Sequence, residues 1–509
     1  MRIGRRTLLR GAALGGAFAV GGAHTTIATA APGGYVGTRE SLASHPLPQW
    51  WRDRKFGIFI HWGPYAVPAW SALPMPLAEW YWLLQQVPGS PQWEHHRQTY
   101  GPEVVYDDFL SRFRAERYDP DAWADLIRDS GAGYFVLTAK HHDGFALFPS
   151  RVTNRTATAL GPGRDLVGEL VTAARRRDLK AGLYYSIPEF FNPAPGGDLA
   201  RQRLSSMLDS MRGGAFQPTQ LLAAAVFDKQ GARNAYTQHP VPYTGYLDVP
   251  GYGDHVRAQL RELIAGYHPD LLWADVGGPE AYFRGNDIIA EFHNQAATFN
   301  PDGVLVNDRF GDHTTHFDYQ VREQASLYQI PARGAVGVPV EVARAMGFSW
   351  SHNVADILDP AEKFIGELIA AVADGSNYLL NIGPRADGTI PEEMVDRLRV
   401  VGEWLRVNGE AIHGTRPWHQ PSAESSSGTV YFTMTDTAVY VLATTWPGAE
   451  LTVRTALPVG ADTTVTLLGA DRAPLATRSV PGGVTIALPD GGNPAATASR
   501  HAYALRITG

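Results

Sequence analysis

The 509-residue chain contains no cysteine, which removes disulfides, thiolate metal sites and cysteine nucleophiles at once. It has no basic block and a formal charge of −7, a balance unsuited to nucleic acid or an anionic membrane as the main partner. There is no glycine-rich dinucleotide loop, no phosphate loop and no HExxH helix, so the common nucleotide and zinc-peptidase patterns are missing. No apolar run approaches the roughly 20 residues that a spanning helix needs. Internal repeats and long low-complexity tracts are absent as well. What remains, 44% hydrophobic and 19% charged residues, is the composition of a soluble globular chain long enough for two or three domains. An aromatic share of 11% suits sugar stacking and a large core equally, so it decides nothing by itself.

The amino terminus carries Arg5-Arg6-Thr7-Leu8-Leu9-Arg10, a Gly/Ala-rich stretch to Gly22, and the small residues Ala28-Thr29-Ala30. This is the pattern of a bacterial twin-arginine export signal spanning residues 1–30, removed after transport, with no stable membrane insertion afterwards. Its loss removes four arginines and takes the charge from −7 to −11. Twin-arginine transport moves folded proteins, which fits a chain with no disulfide to form outside.

Beyond residue 50, short apolar runs alternate with helical patterns. Runs at 56–60, 134–138, 180–186, 271–275, 303–306, 317–323, 338–346 and 377–381 read as strands, and several end in polar, chemically able residues. Helical periods at 119–129, 164–177, 252–267, 286–298, 360–374 and 391–408 separate them. A long Pro/Gly-rich excursion at 188–246, with helices expected around 199–211 and 217–227, reads as a lid or binding loop. This alternation predicts a (β/α)8-like barrel over residues 31–416. From 417 to 509 short alternating strands at regular spacing predict an antiparallel β-sandwich.

A barrel gathers its strand ends around one mouth, so His61, His141, His142, Asp275, Arg309 and Glu323 are candidates to meet there. Two adjacent histidines and Asp143 invite a metal, but neighbours on a strand face opposite ways and no ligand spacing supports one; the expectation is no metal and no cofactor. Paired carboxylates are the other possibility, since retaining glycoside hydrolysis needs a nucleophile and an acid. Asp275, ending an apolar strand before Val276-Gly277-Gly278, is the nucleophile candidate, while Glu323, Glu280, Glu189 and Asp318 compete as the acid.

The segments FGIFIHWGPYAVPAW, EWYW, YFVLTAKHHDGFALFPS, GLYYS, YHPDLLWADVGG, VNDRFG and NYLLNIGPRADGTIPEEM together resemble the α-L-fucosidases of glycoside hydrolase family 29, in order from about residue 45 to 418. The resemblance implies a retaining exo-glycosidase that needs no metal and acts on a fucosylated glycan or a small α-L-fucoside. It implies Asp275 as nucleophile and Glu323 as general acid/base. It further implies His61, Glu79, Trp80, His141, His142, Tyr185 and Arg309 as sugar contacts, with Tyr184 a rival to Tyr185. Many relatives carry Gly where this chain has Val276. A non-catalytic fucose-binding protein on the same scaffold and a metal-dependent barrel hydrolase are the alternatives.

Overall fold

The computed structural model describes residues 34–73, 75–85, 89–187, 189, 252–324, 338–471, 473–489 and 501–509. The expected export signal and the helices expected at 199–211 and 217–227 lie outside them.

Eight parallel strands, β1 (Phe56–Ile60), β2 (Tyr134–Lys140), β3 (Lys180–Ser186), β4 (Leu271–Asp275), β5 (Leu305–Val306), β6 (Gln320–Gln324), β7 (Val340–Ala345) and β8 (Asn377–Ile382), pair in the order β5-β4-β3-β2-β1-β8-β7-β6. The two end strands of this ladder meet at a parallel bridge between Asn307 and Tyr319. The Asp318 amide donates to the Val306 carbonyl at 3.0 Å beside it. The sheet therefore curls into the (β/α)8-like barrel that the alternation of patterns predicts. Helices Pro120–Asp129, Leu166–Arg175, Tyr252–Tyr267, Gly285–Phe299, Ala361–Ala373 and Glu392–Asn408 accompany the strands. Two of them start where the sequence places a cap: Asp119 accepts from the amides of Asp121 and Ala122, with Pro120 at the first helical position, and Asp165 accepts from Gly168.

β1, β2, β7 and β8 are buried at every residue, as strands covered on both faces must be. The period of two sorts their side chains. Phe59, Val136, Tyr184, Trp273, Leu305, Val321, Ala343 and Leu379 form one cluster inside the barrel. Ile58, Ile60, Phe135, Leu137, Tyr185, Leu272, Ala274, Leu380 and Ile382 belong to the core shared with the helices. The inner row carries polar residues forward to the mouth: His61 follows Phe59, Asp275 follows Trp273, and Glu323 follows Val321. One irregularity interrupts the pattern, a register shift between Thr138 and Lys140 that pairs Lys140 with Tyr185. This bulge turns Lys140 outward, where its ammonium pairs with Glu189 at 2.8 Å and lies 4.4 Å from the centre of the Tyr185 ring.

The remaining strands, β9 (Arg416–Ser425), β10 (Gly428–Met434), β11 (Val439–Ala443), β12 (Glu450–Val453), β13 (Thr464–Leu467), β14 (Thr477–Val480), β15 (Gly483–Ala487) and β16 (Tyr503–Thr508), form an antiparallel sheet in the order β13-β16-β11-β10-β9-β12-β15-β14. Trp418, Phe432, Val441, Leu451, Val465, Ile486 and Leu505 share one core, which requires the sheet to fold over on itself in sandwich fashion. It docks on the last two barrel helices: Trp404 donates its indole N–H to the Ala502 carbonyl at 3.0 Å, and Tyr440 and Leu442 join the barrel-side core. Among the described residues no helix is long and apolar enough to cross a membrane.

Candidate active site

Asp275 sits at the carboxyl end of β4 with 14% of its side chain accessible. The Tyr184 hydroxyl donates to its Oδ2 at 2.7 Å, Arg309 Nη1 donates to Oδ1 at 2.9 Å, and the Val276 amide also donates to Oδ1 at 2.9 Å. His142 Nε2 lies 3.5 Å from Oδ2. Val276 holds φ at 68°, a left-handed conformation that costs a residue with a β-carbon about 1–2 kcal/mol and is a genuine outlier for a β-branched one. The turn after Asp275 is thus kept by its surroundings against local preference, and its amide points back at the carboxylate.

Arg309, reached where the chain leaves β5, joins this carboxylate to a second one. The same Nη1 donates to Glu323 Oε1 at 2.6 Å. Distances of 2.9 and 2.6 Å from one nitrogen keep the two oxygens within their sum, 5.5 Å. The environments of the two acids differ. Burial pushes the Asp275 carboxyl up, but Arg309, His142 and the Tyr184 hydroxyl outweigh it and hold the group below its ordinary range. At Glu323 burial prevails, Arg309 offsets it only in part, and the charge of Asp275 adds to it, so this carboxyl is raised. Its side chain remains 37% accessible at the mouth, which moderates the rise without reversing it. The pair titrates as a unit, with the first proton lost from the Asp275 side.

Facing the carboxylates is a wall of imidazoles. His61 Nδ1 meets Asn381 Oδ1 at 2.7 Å, and burial brings its pKa down to about 4. The His141 ring lies 5.5 Å from Tyr184 in a stacked pose and 5.6 Å from His61 edge-on; burial, with His142, His61 and Lys140 nearby, lowers it well below the ordinary value. His142 Nδ1 and Ser186 Oγ are 2.5 Å apart. Glu79 accepts from the amide and hydroxyl of Ser351 at 3.2 and 3.3 Å, and burial raises it to about 7. Trp80 stands edge-on to His142 with ring centres 6.0 Å apart. Trp273 stacks on Tyr184 at 5.3 Å beneath the Arg309 guanidinium, and Trp350 lies 5.3 Å from His61. Two imidazoles kept neutral by burial, His61 and His141, one carboxyl poised near neutrality and three indoles make a pocket that can pair hydroxyls and also cover an apolar face.

The structure brings together every site residue expected from the sequence except Tyr185. That tyrosine faces away from the mouth and donates to Gln259 Oε1 at 2.7 Å on helix Tyr252–Tyr267; strand alternation gives the inner place to Tyr184. The expectation that alternation separates His141 from His142 is also corrected. Both follow the last residue of β2, and their ring centres are 4.2 Å apart. The rival acids are occupied elsewhere. Glu280 accepts from the Asn286 amide and the Thr315 hydroxyl. Burial would raise Glu189, but Lys140 and His255 bring it to about 2. Asp318 is ringed by histidines. Sequence reasoning missed Ser186 and Asn381, whose only signal was their place at strand ends.

The sequence profile of the family described as "Alpha-L-fucosidase" matches residues 23–410. Tissue α-L-fucosidase of Bos taurus is 34% identical over 487 residues, spanning 94% of this chain and 92% of its own. That of Homo sapiens is 33% identical over 503 residues, spanning 96% and 95%. Among solved structures, the α-fucosidase of Thermotoga maritima in complex with fucose superposes with a TM-score of 0.75 at 31% identity, covering 93% of this chain and all of that one.

Proposed function

The chain belongs to the α-L-fucosidase family of glycoside hydrolases, and from that premise we propose that it is an exported exo-glycosidase releasing terminal α-L-fucose with retention of configuration. The observation that carries the mechanism is the single Arg309 nitrogen shared by Asp275 and Glu323. Carboxyl groups about 5–5.5 Å apart suit a covalent double displacement, whereas inversion needs about 6.5–9.5 Å to admit a water.

In the first step an Asp275 oxygen attacks the anomeric carbon while Glu323 gives its proton to the departing glycosidic oxygen. The C–O bond to the aglycone breaks as the bond to Asp275 forms. Esterification removes the negative charge of Asp275, and with it a cause of the raised Glu323 pKa. Arg309 remains, so the carboxylate left on Glu323 by that proton transfer stays ionised and can serve as base. In the second step it takes a proton from water, the oxygen of that water attacks the anomeric carbon, and the bond to Asp275 breaks. Positive charge at the ring during both steps is met by the Asp275 carboxylate.

The sugar is held by His61, His141, His142, Glu79 and Arg309 through its hydroxyls, with Trp80 completing the pocket. Tyr184 takes the place first expected for Tyr185. Trp273 and Trp350 supply apolar contact for the methyl group of a 6-deoxy sugar. Export rests on the twin-arginine pattern. A fucose-binding protein without turnover would have no use for two carboxylates displaced in opposite directions.

The experiment is chemical rescue. Asp275→Gly should abolish turnover of an aryl α-L-fucoside, and added azide should restore it with β-fucosyl azide as the product. Activity near wild type in that variant would sink the nucleophile assignment.

A further inference from the structure

Beneath the catalytic pair the barrel interior holds a further carboxyl that the reaction does not use. Glu341 lies on β7 and is fully buried. Its neighbours in the ladder are Val321 on β6 and Asn377 on β8, but its hydrogen bonds run across the barrel. The Tyr134 hydroxyl of β2 donates to Oε2 at 2.6 Å, and the Trp273 indole N–H of β4 donates to Oε1 at 3.1 Å. Counted around the closed barrel, β2 and β4 each lie three strands from β7, so one side chain braces the interior in two directions.

The position is a costly one for a carboxyl. Burial pushes it up to about 7, and the donors around it, Tyr134, Trp273, Tyr319 and Trp51, offset that only in part. An apolar side chain of similar size would avoid the penalty. What it could not supply is an acceptor for the Trp273 indole, a group that needs a partner when buried.

That indole is the floor beneath both donors that hold Asp275. The Trp273 ring stacks on Tyr184 with centres 5.3 Å apart and planes 22° from parallel, and the Arg309 guanidinium carbon lies 5.1 Å from its centre. Tyr184 donates to one oxygen of Asp275 and Arg309 to the other, while Arg309 also reaches Glu323. A turn of the indole about its side-chain torsions would move both donors together. The bond at Oε1 opposes that turn, and such support from behind is what keeps reacting groups in register.

We propose that Glu341 is a positioning residue for the hydrolytic reaction, fixing Trp273 so that Tyr184 and Arg309 stay aimed at the Asp275 carboxylate. It touches no reacting atom. The inference rests on the reading of Asp275 as the nucleophile.

The test compares two variants of the full-length chain. Glu341→Gln keeps an acceptor oxygen for the indole, whereas Glu341→Leu has none. Charge does not confuse the comparison, because both variants are uncharged at this position. kcat/KM for an aryl α-L-fucoside is followed against pH, with urea unfolding to show that each variant is folded. Glu341→Gln should stay within about threefold of wild type with its acid limb in place. Glu341→Leu should fall at least about tenfold below it, since ångström-scale misplacement costs a reaction that much or more. Its acid limb should also move up by about half a unit, because a less firmly held Asp275 carboxylate keeps its proton to higher pH. An acceptor of purely structural use would lower the urea midpoint of Glu341→Leu and leave rate and limb where Glu341→Gln has them; that result overturns the proposal. If Glu341→Leu does not fold, benzothienylalanine placed at position 273 makes the same comparison, since it keeps the fused ring with sulfur where the indole has N–H; a wild-type rate and limb there overturn the proposal equally. Azide rescue of Asp275→Gly is measured alongside. Its failure removes the nucleophile reading and this inference with it; its success leaves the variants to judge Glu341 alone.

Discussion

Tyr184 and Tyr185 are adjacent, almost fully buried and chemically identical, yet they face opposite sides of β3, and this makes them a matched pair of probes. The Tyr184 hydroxyl donates to Asp275 Oδ2 at 2.7 Å. A hydrogen bond to a charged group contributes about 1.5–3 kcal/mol, and each pKa unit corresponds to about 1.36 kcal/mol, so its loss should raise the Asp275 carboxyl by about one to two units. The lower figure is the better expectation, because Arg309 and the Val276 amide still donate to Oδ1. The sign follows from which state the donor favours. It stabilises the ionised form, so without it the proton is held to higher pH and the acid limb of kcat/KM, which reports the free enzyme, moves up by about one unit. Tyr185→Phe instead orphans the Gln259 carbonyl oxygen, costing about 1–3 kcal/mol of stability with the limb unmoved. Both variants are assayed as kcat/KM for an aryl α-L-fucoside against pH, with urea unfolding alongside. An acid limb that stays in place in Tyr184→Phe, or shifts equally in Tyr185→Phe, refutes the reasoning.

Two further outcomes follow from the site. Glu323→Ala should slow a substrate with a poor leaving group far more than one with a good leaving group, because only the former needs the proton; equal slowing of an alkyl and a nitrophenyl fucoside would point to another acid. Val276→Gly should relieve the left-handed strain at φ 68° and, after the extra chain entropy of glycine is subtracted, raise unfolding stability by up to about 1 kcal/mol, read from the urea midpoint; a clear loss of stability would mean that the valine side chain packs better than its backbone suffers.

Much of the barrel was legible because strands covered on both faces must be apolar throughout. The runs at 56–60 and 271–275 coincide with β1 and β4, and the helical period at 252–267 coincides with Tyr252–Tyr267. Edges and irregularities were not legible. β9 contains Pro417 and Pro421, which cannot donate to a ladder, yet its pairing with β10 shifts register between Tyr431 and Thr433 and so accommodates the interruption. β14 (TRSV) has Val480 as its one apolar residue and so offers no alternation to read. The bulge at Ala139 leaves no mark in composition, although it decides that Lys140 and Tyr185 look outward together. The choice among four possible acids could not be made from spacing either. It depends on the barrel closing between β5 and β6, which brings Arg309 and Glu323 together.

The central claim is a double displacement at the Asp275–Glu323 pair, and its most direct test is a proton NMR time course of the first fucose released from an α-L-fucoside. Retention predicts that the α anomer of L-fucose appears first and that the β anomer grows in later by mutarotation. Release of the β anomer first would contradict the account.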